Sequence, residues 1–255
     1  MFKKWFFLFL SILFWSSPLI FWLSWQVILA SPSIFWLVLS GALLLTALVA
    51  YEASGRQKNW HFVYILISLC LLIGNFYLFV SLLPANWLVQ LFWFLLVWYL
   101  FRYLLAVKKL SLSGESTDWS QISLSNGLLT VFLTSVSLFG LQSFLSASPW
   151  LLLAIFLVIL LVNTRAIAFS QGWNKKSDYI LWPILSFLIL EIAMLFTFLP
   201  LNYLIAGILC TLAYYSVINF VRLYLNKALT RRKIKNYAWF TGISLLIILL
   251  TARWF

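Results

Sequence analysis

One acidic residue of the chain, Glu191, lies inside a long apolar run, within residues 189–193. It is roughly 12 Å along a helix from the nearest turn, at ~1.5 Å per residue. A carboxylate in hydrocarbon is costly, so ionisable side chains in membrane helices are candidates for function. Two interpretations are open. Glu191 either binds a substrate or ion, or is a neutral side chain that joins helices by hydrogen bonds.

Other polar side chains interrupt apolar runs in a similar way. Asn75 precedes Glu191 by 116 positions and falls at the same depth of an earlier run. The predicted helix within residues 122–145 contains four polar residues whose spacing of 4, 4 and 3 places them on one face. They are Asn126, Thr130, Thr134 and Ser137. This face either forms a wall of a polar cavity or packs against a neighbouring helix through small side chains. With Glu191, these five residues are the candidate ligands of a substrate or ion.

A short basic segment lies near the C-terminus, within residues 227–235. Its cations are Lys227, Arg231, Arg232, Lys233 and Lys235. Basic residues beside a membrane helix attract anionic lipid headgroups. They also fix the orientation of the flanking helices. Both roles are compatible, so these five residues are candidates for binding anionic lipid at the cytoplasmic face.

Motifs of common enzymes are missing from the sequence. It contains no His-Glu-x-x-His and no Gly-x-Ser-x-Gly. One histidine and two well-separated cysteines, Cys70 and Cys210, give little basis for a protein metal site. We therefore expect no cofactor and no metal. A protein that is not an enzyme is favoured, and an enzyme that acts on a lipid substrate stays open as an alternative. The net charge of +12 comes without a nucleic-acid-binding motif, so nucleic acid is not an expected partner.

The composition indicates the class of protein. Of the 255 residues, 65% are hydrophobic and only 9% are charged, and the mean hydropathy is +1.05. Soluble domains are roughly a quarter charged. A chain this apolar lacks the polar groups to cover its surface in water, so we expect a multi-pass integral membrane protein of the all-α class.

The apolar runs predict about nine transmembrane helices. Their approximate ranges are 5–29, 33–51, 61–83, 86–107, 122–145, 149–168, 179–199, 201–225 and 237–254. Tight turns centred on proline alternate with longer polar connections. A Leu-Pro-x-Asn-aromatic-Leu pattern at 83–88 returns at 199–204, and Ala-Ser-Pro at 30–32 returns at 147–149. We interpret this as two parallel four-helix repeats, 1–117 and 118–236, followed by an additional C-terminal helix, 237–255.

The basic residues predict how the chain crosses the membrane. All lysines and arginines except Arg253 fall at the N-terminus or at the polar connections, on one side of the predicted helices. Short cytoplasmic loops carry an excess of such residues. We therefore expect the N-terminus in the cytoplasm, and the proline turns and the C-terminus outside.

Two functions fit this architecture. The first is a permease-like protein with a polar site between the two repeats, formed by Glu191 and Asn75. The alternative is a non-catalytic membrane scaffold or accessory subunit that packs against a protein partner or lipid. The second needs no cavity and suits helices with so few polar side chains.

Overall fold

The computed structural model describes residues 11–17, 19–20, 23–24, 26, 35–53, 60–81, 87–113, 117–171, 173, 180–227 and 229–251. Within these ranges the regular secondary structure is helical and no strand occurs, as the sequence predicts. Helical residues 11–17, 19–20, 23–24 and 26 are called α1. The other helices are α2 (Phe35–Ala53), α3 (Trp60–Ser81), α4 (Trp87–Ser113), α5 (Thr117–Leu145), α6 (Pro149–Ser170), α7 (Leu181–Thr197), α8 (Tyr203–Leu225) and α9 (Arg231–Thr251).

Three of these helices contain segments that are long and apolar enough to cross a membrane: Ser120–Leu145 in α5, Pro149–Ser170 in α6 and Tyr203–Leu225 in α8. Shorter apolar segments are Leu37–Glu52, Leu66–Phe79 and Leu181–Thr197. A spanning helix needs about 20 residues, with a range of roughly 17 to 25. The three long apolar helices support the prediction of a membrane protein.

Two connections predicted as polar loops are largely helical. Helix α4 continues to Ser113 and α5 begins at Thr117, so little of the predicted loop 108–121 is left. Helix α9 begins at Arg231 rather than near 237. These predicted boundaries are wrong because hydropathy marks where an apolar run stops, whereas helical hydrogen bonding continues through the polar residues beside it. Lysine, arginine and leucine favour such an extension.

The turn between α5 and α6 forms at a proline. Helix α5 ends at Leu145, and Ser146 follows in the left-handed conformation with φ of 50°. Pro149 is the first residue of α6, where the missing backbone donor is tolerated. A second turn, at Pro200, leads to Asn202, which caps α8. Both turns are therefore as predicted, whereas those at Pro32 and Pro84 fall outside the described residues.

Contacts divide the chain into two compact units, Met1–Ser123 and Leu124–Phe255. The predicted repeats have nearby bounds, and residues 237–255 belong to the second unit. The origin of the two units by duplication stays a prediction.

The first unit is organised around α2, which packs mainly on α3 and also on α4. A hydrogen bond between the hydroxyls of Ser24 and Tyr77 joins α1 to α3. The ammonium group of Lys108 lies 4.5 Å from the centre of the Phe14 ring, which joins α4 to α1 through a cation–π contact.

The second unit is organised around α6, α7 and α8. Helix α7 packs most extensively on α6 and also on α8, and α9 packs on α8. Helix α5 approaches α8 closely at Gly207, where an added Cβ would overlap the side chain of Val136. The hydroxyl of Ser135 donates a hydrogen bond to the Gly207 carbonyl at 3.3 Å. The absence of a side chain at Gly207 therefore sets the distance between two helix backbones.

Candidate functional site

The predicted polar face of α5 is completely buried. Asn126, Thr130, Thr134 and Ser137 are each at most 1% exposed. The hydroxyl of Thr130 donates to the Asn126 carbonyl at 2.8 Å, and that of Thr134 to the Thr130 carbonyl at 2.7 Å. Hydroxyls of this kind bond to the preceding turn of their own helix when no other partner is better placed. These bonds satisfy the two threonines within α5, which favours the packing interpretation for them.

A buried polar cluster joins three helices of the second unit. Its members are Asn163 and Thr164 of α6, Tyr214 of α8 and the Gly127 carbonyl of α5. The Asn163 amide donates to the Gly127 carbonyl at 2.9 Å and to the Tyr214 hydroxyl at 3.4 Å. The hydroxyls of Thr164 and Tyr214 lie 3.2 Å apart. All three side chains are at most 1% exposed.

Sequence reasoning missed this cluster. In the sequence Asn163 is one polar residue in a mostly apolar run, and Tyr214 is one of eleven tyrosines. The adjacent polar pair Asn163-Thr164 within an apolar run was the available signal. The cluster provides hydrogen-bond donors and acceptors but no carboxylate, imidazole or ammonium group. Chemically it can join helices or hold a small polar molecule, and it has no acid–base pair.

A small cleft lies between α5, α6 and α7. Polar side chains in its lining are Ser135, Gln142 and Thr197, and the rest of the lining is apolar, including Phe139 and Phe156. Its volume of about 20 Å³ is close to the space that a single water occupies. The cleft is therefore too small for a metabolite or lipid.

Glu191 does not face the interior of the second unit. Its side chain is exposed, as are those of Ile184, Phe187, Leu188 and Leu195 on the same face of α7. The opposite face of α7 is buried and includes Leu185, Ser186, Ile189 and Ala193. Glu191 therefore lies on the face of α7 opposite its contacts with α6 and α8, because small and branched residues of α7 occupy those contacts.

Asn75, the residue at the equivalent depth in the predicted first repeat, behaves differently. It is 8% exposed, and its amide donates to the Leu71 carbonyl at 2.7 Å within α3. The predicted repeat therefore places a buried amide in one unit and an exposed carboxyl group in the other. Their roles as substrate or ion ligands stay predictions.

The basic segment lies at the turn between α8 and α9. Lys227 follows α8 in the left-handed conformation with φ of 51°. The four other cations occupy the first two turns of α9, and all five side chains are exposed: Lys227, Arg231, Arg232, Lys233 and Lys235. The structure thus gathers the predicted lipid-binding residues at one end of a helical hairpin.

Among the described residues, no three histidine, cysteine or acidic side chains lie together in the way that a metal ion requires. Both cysteines are free, with Cys210 buried in α8 and Cys70 partly buried in α3. The described part of the chain therefore shows no cluster of metal-binding side chains.

Comparisons with protein-family models, with curated proteins and with solved structures give no match.

Proposed function

We propose that this protein is a non-catalytic membrane subunit that binds a transmembrane helix of a partner protein along the exposed face of α7. The observation that carries the proposal is the exposed side chain of Glu191 on an otherwise apolar surface. The residues of this surface, here called the α7 seam, are Ile184, Phe187, Leu188, Glu191 and Leu195.

The position of Glu191 along α7 makes exposure to lipid alone unfavourable. Helix α7 has 17 residues, which corresponds to about 26 Å. Glu191 lies six residues before its end at Thr197, or roughly 9 Å. Acyl chains offer no hydrogen bond at that depth, and a central acidic residue costs about 3 kcal/mol on insertion scales. A partner group that donates to the carboxylate would remove much of this cost.

The spacing of the α7 seam fits a single helix as the partner. Its members follow one another at intervals of 3, 1, 3 and 4 residues, which places them on one face. Such a stripe is typical of a surface that packs against another helix. One polar residue within it can fix the register of the two helices and the choice of partner. Charge complementarity indicates a lysine or arginine on the partner, opposite Glu191.

The permease-like function predicted from sequence has less support. Polar side chains of α5 are buried and in part bonded within the helix, and the cleft beside them has room for about one water. A polar site formed by Glu191 and Asn75 stays a prediction.

The partner-binding proposal can be tested with synthetic helices in liposomes that contain the purified full chain. One labelled probe is a leucine–alanine transmembrane helix with a single central lysine, and the other has leucine there. We expect energy transfer to report about 5- to 30-fold tighter binding of the lysine helix, since polar pairs between model membrane helices contribute about 1–2 kcal/mol. The variant Glu191→Leu should bind both probes equally.

Matched variants separate charge from general packing. Glu191→Gln should keep an intermediate preference because its amide still forms hydrogen bonds. Val158→Leu, on the exposed surface of α6, should behave as wild type. Equal affinities of wild type and Glu191→Leu for the lysine helix would contradict the proposal. Solute flux through liposomes that Glu191→Gln abolishes while the fold is kept would favour the permease instead.

The orientation of the chain is also a proposal, which the distribution of basic residues supports. We propose nine spanning helices in two repeats and a terminal helix, with the N-terminus in the cytoplasm and the C-terminus outside. In a background without native cysteines, Ser148→Cys should react with an impermeant thiol reagent in intact cells, and Thr230→Cys only after permeabilisation. Both positions are exposed and lie at different turns. The reverse labelling pattern would overturn the orientation.

A further inference from the structure

We propose that the turn between α8 and α9 binds the phosphate headgroup of an anionic phospholipid, through what is here called the hairpin cluster. The cluster comprises the five exposed cations Lys227, Arg231, Arg232, Lys233 and Lys235. This binding site goes beyond the proposed partner-binding face on α7.

The backbone holds the hairpin cluster at the closed end of a helical pair. Helices α8 and α9 pack on each other, and the hydroxyls of Ser216 and Thr241 lie 3.0 Å apart across them. Thr230 caps the N-terminus of α9, because its hydroxyl accepts a hydrogen bond from the Lys233 backbone N–H at 3.4 Å and its carbonyl accepts one from the Ile234 backbone N–H at 3.0 Å. The cations are therefore concentrated at one turn.

The hairpin brings no negative charge of its own to this end. From Asn202 to Phe255 the sequence contains neither aspartate nor glutamate. The first turn of α9 likewise has no acidic residue, although the positive end of the helix dipole favours an anion there and disfavours cations. The turn is thus complementary in charge to an anionic ligand.

The surroundings favour a lipid over a soluble anion. Trp239 and Tyr224 are both exposed beside the hairpin cluster, and aromatic residues of this kind are enriched at the membrane interface. Farther along α9 the exposed surface is apolar, with Ile243, Leu246 and Leu250. A phospholipid can place its phosphate on the cations and its acyl chains along this surface.

The test is lipid binding by the purified full chain in detergent micelles, with fluorescent phosphatidylglycerol and phosphatidylcholine as probes. Wild type should bind phosphatidylglycerol preferentially. Each basic residue near a membrane surface contributes about a fivefold change in affinity. The affinity for phosphatidylglycerol should therefore fall roughly 100-fold in the triple variant Arg231→Gln, Arg232→Gln, Lys233→Gln. Arg102→Gln, which removes an exposed cation from α4, should bind as wild type.

Competition experiments distinguish the sources of the anion. Inorganic phosphate at millimolar concentration and a single-stranded oligonucleotide should both fail to displace phosphatidylglycerol. Displacement by either would overturn the assignment to lipid, as would equal binding of the two phospholipids by wild type. If the triple variant does not fold, the single variant Arg231→Gln should still show a fivefold loss, and an unchanged affinity would contradict the proposal.

Discussion

Tyr214→Ala is expected to lower the free energy of unfolding by about 3–5 kcal/mol, as truncation of large buried aromatic residues does elsewhere. Tyr214 is fully buried at the centre of the second unit, among apolar residues that include Leu160, Ile189 and Cys210. Removing its ring leaves a cavity between α6 and α8 and breaks the contacts with Asn163 and Thr164. Unfolding in mixed micelles, followed by circular dichroism, measures the loss.

Two further variants divide this loss into packing and hydrogen bonding. Tyr214→Phe keeps the ring and should cost only about 0.5–2 kcal/mol, because single hydrogen bonds between membrane helices are weak. Tyr224→Ala removes a tyrosine of the same helix that is 64% exposed, and should change stability by less than about 0.5 kcal/mol. A Tyr214→Ala protein as stable as Tyr224→Ala would show that the buried cluster does not hold α6 and α8 together.

Gly207→Ala is the second substitution with a large expected effect, a loss of about 1–3 kcal/mol. The new Cβ would overlap a methyl group of Val136, and it would lie 3.1 Å from the Val136 nitrogen and 3.2 Å from its Cα. The side chain of Val136 can rotate away, but the backbone of α5 has to move. Close helix approach at small residues is a main source of packing energy in membranes.

Other glycines of the chain provide matched controls for that measurement. At Gly242 an added Cβ meets nothing within 4 Å, so Gly242→Ala should be neutral or stabilise α9 by up to about 1 kcal/mol. At Gly127 the nearest obstacle is the flexible end of Ile167, so Gly127→Ala should fall between the two. The expected order of stability is Gly242→Ala, Gly127→Ala, Gly207→Ala. Equal stability of the first and last would contradict the close approach of α5 and α8.

Several features of the fold could be predicted from the order of residues alone. Long apolar runs predict helices because backbone groups in lipid have to bond within their own segment. Proline at 149 and 200 marks turns: Pro149 begins α6 without needing a backbone donor, and Pro200 lies in the turn just before α8. The clustering of cations within 227–235 is likewise visible in the sequence. The structure adds that these cations lie at the turn between α8 and α9.

The candidate site was harder to predict, as Glu191 and Asn75 illustrate. Both are polar residues in apolar runs, yet the first is exposed and the second is buried. In a soluble protein the buried face of a helix is recognised because its other face is polar. Here lipid accepts apolar side chains on the outer face as well, so α7 is apolar nearly all round and its sequence does not indicate which side meets α6 and α8.

The sequence by itself thus determined that this is a helical protein suited to a membrane, where its turns at Pro149 and Pro200 lie and where its cations gather. These properties follow from local composition and from backbone hydrogen bonding. Only the tertiary structure decided that Asn163, Thr164 and Tyr214 meet, that Gly207 lies against Val136 and that Glu191 faces outward. Those outcomes depend on the shapes of side chains packed between helices, and no periodic contrast between apolar and polar residues encodes them.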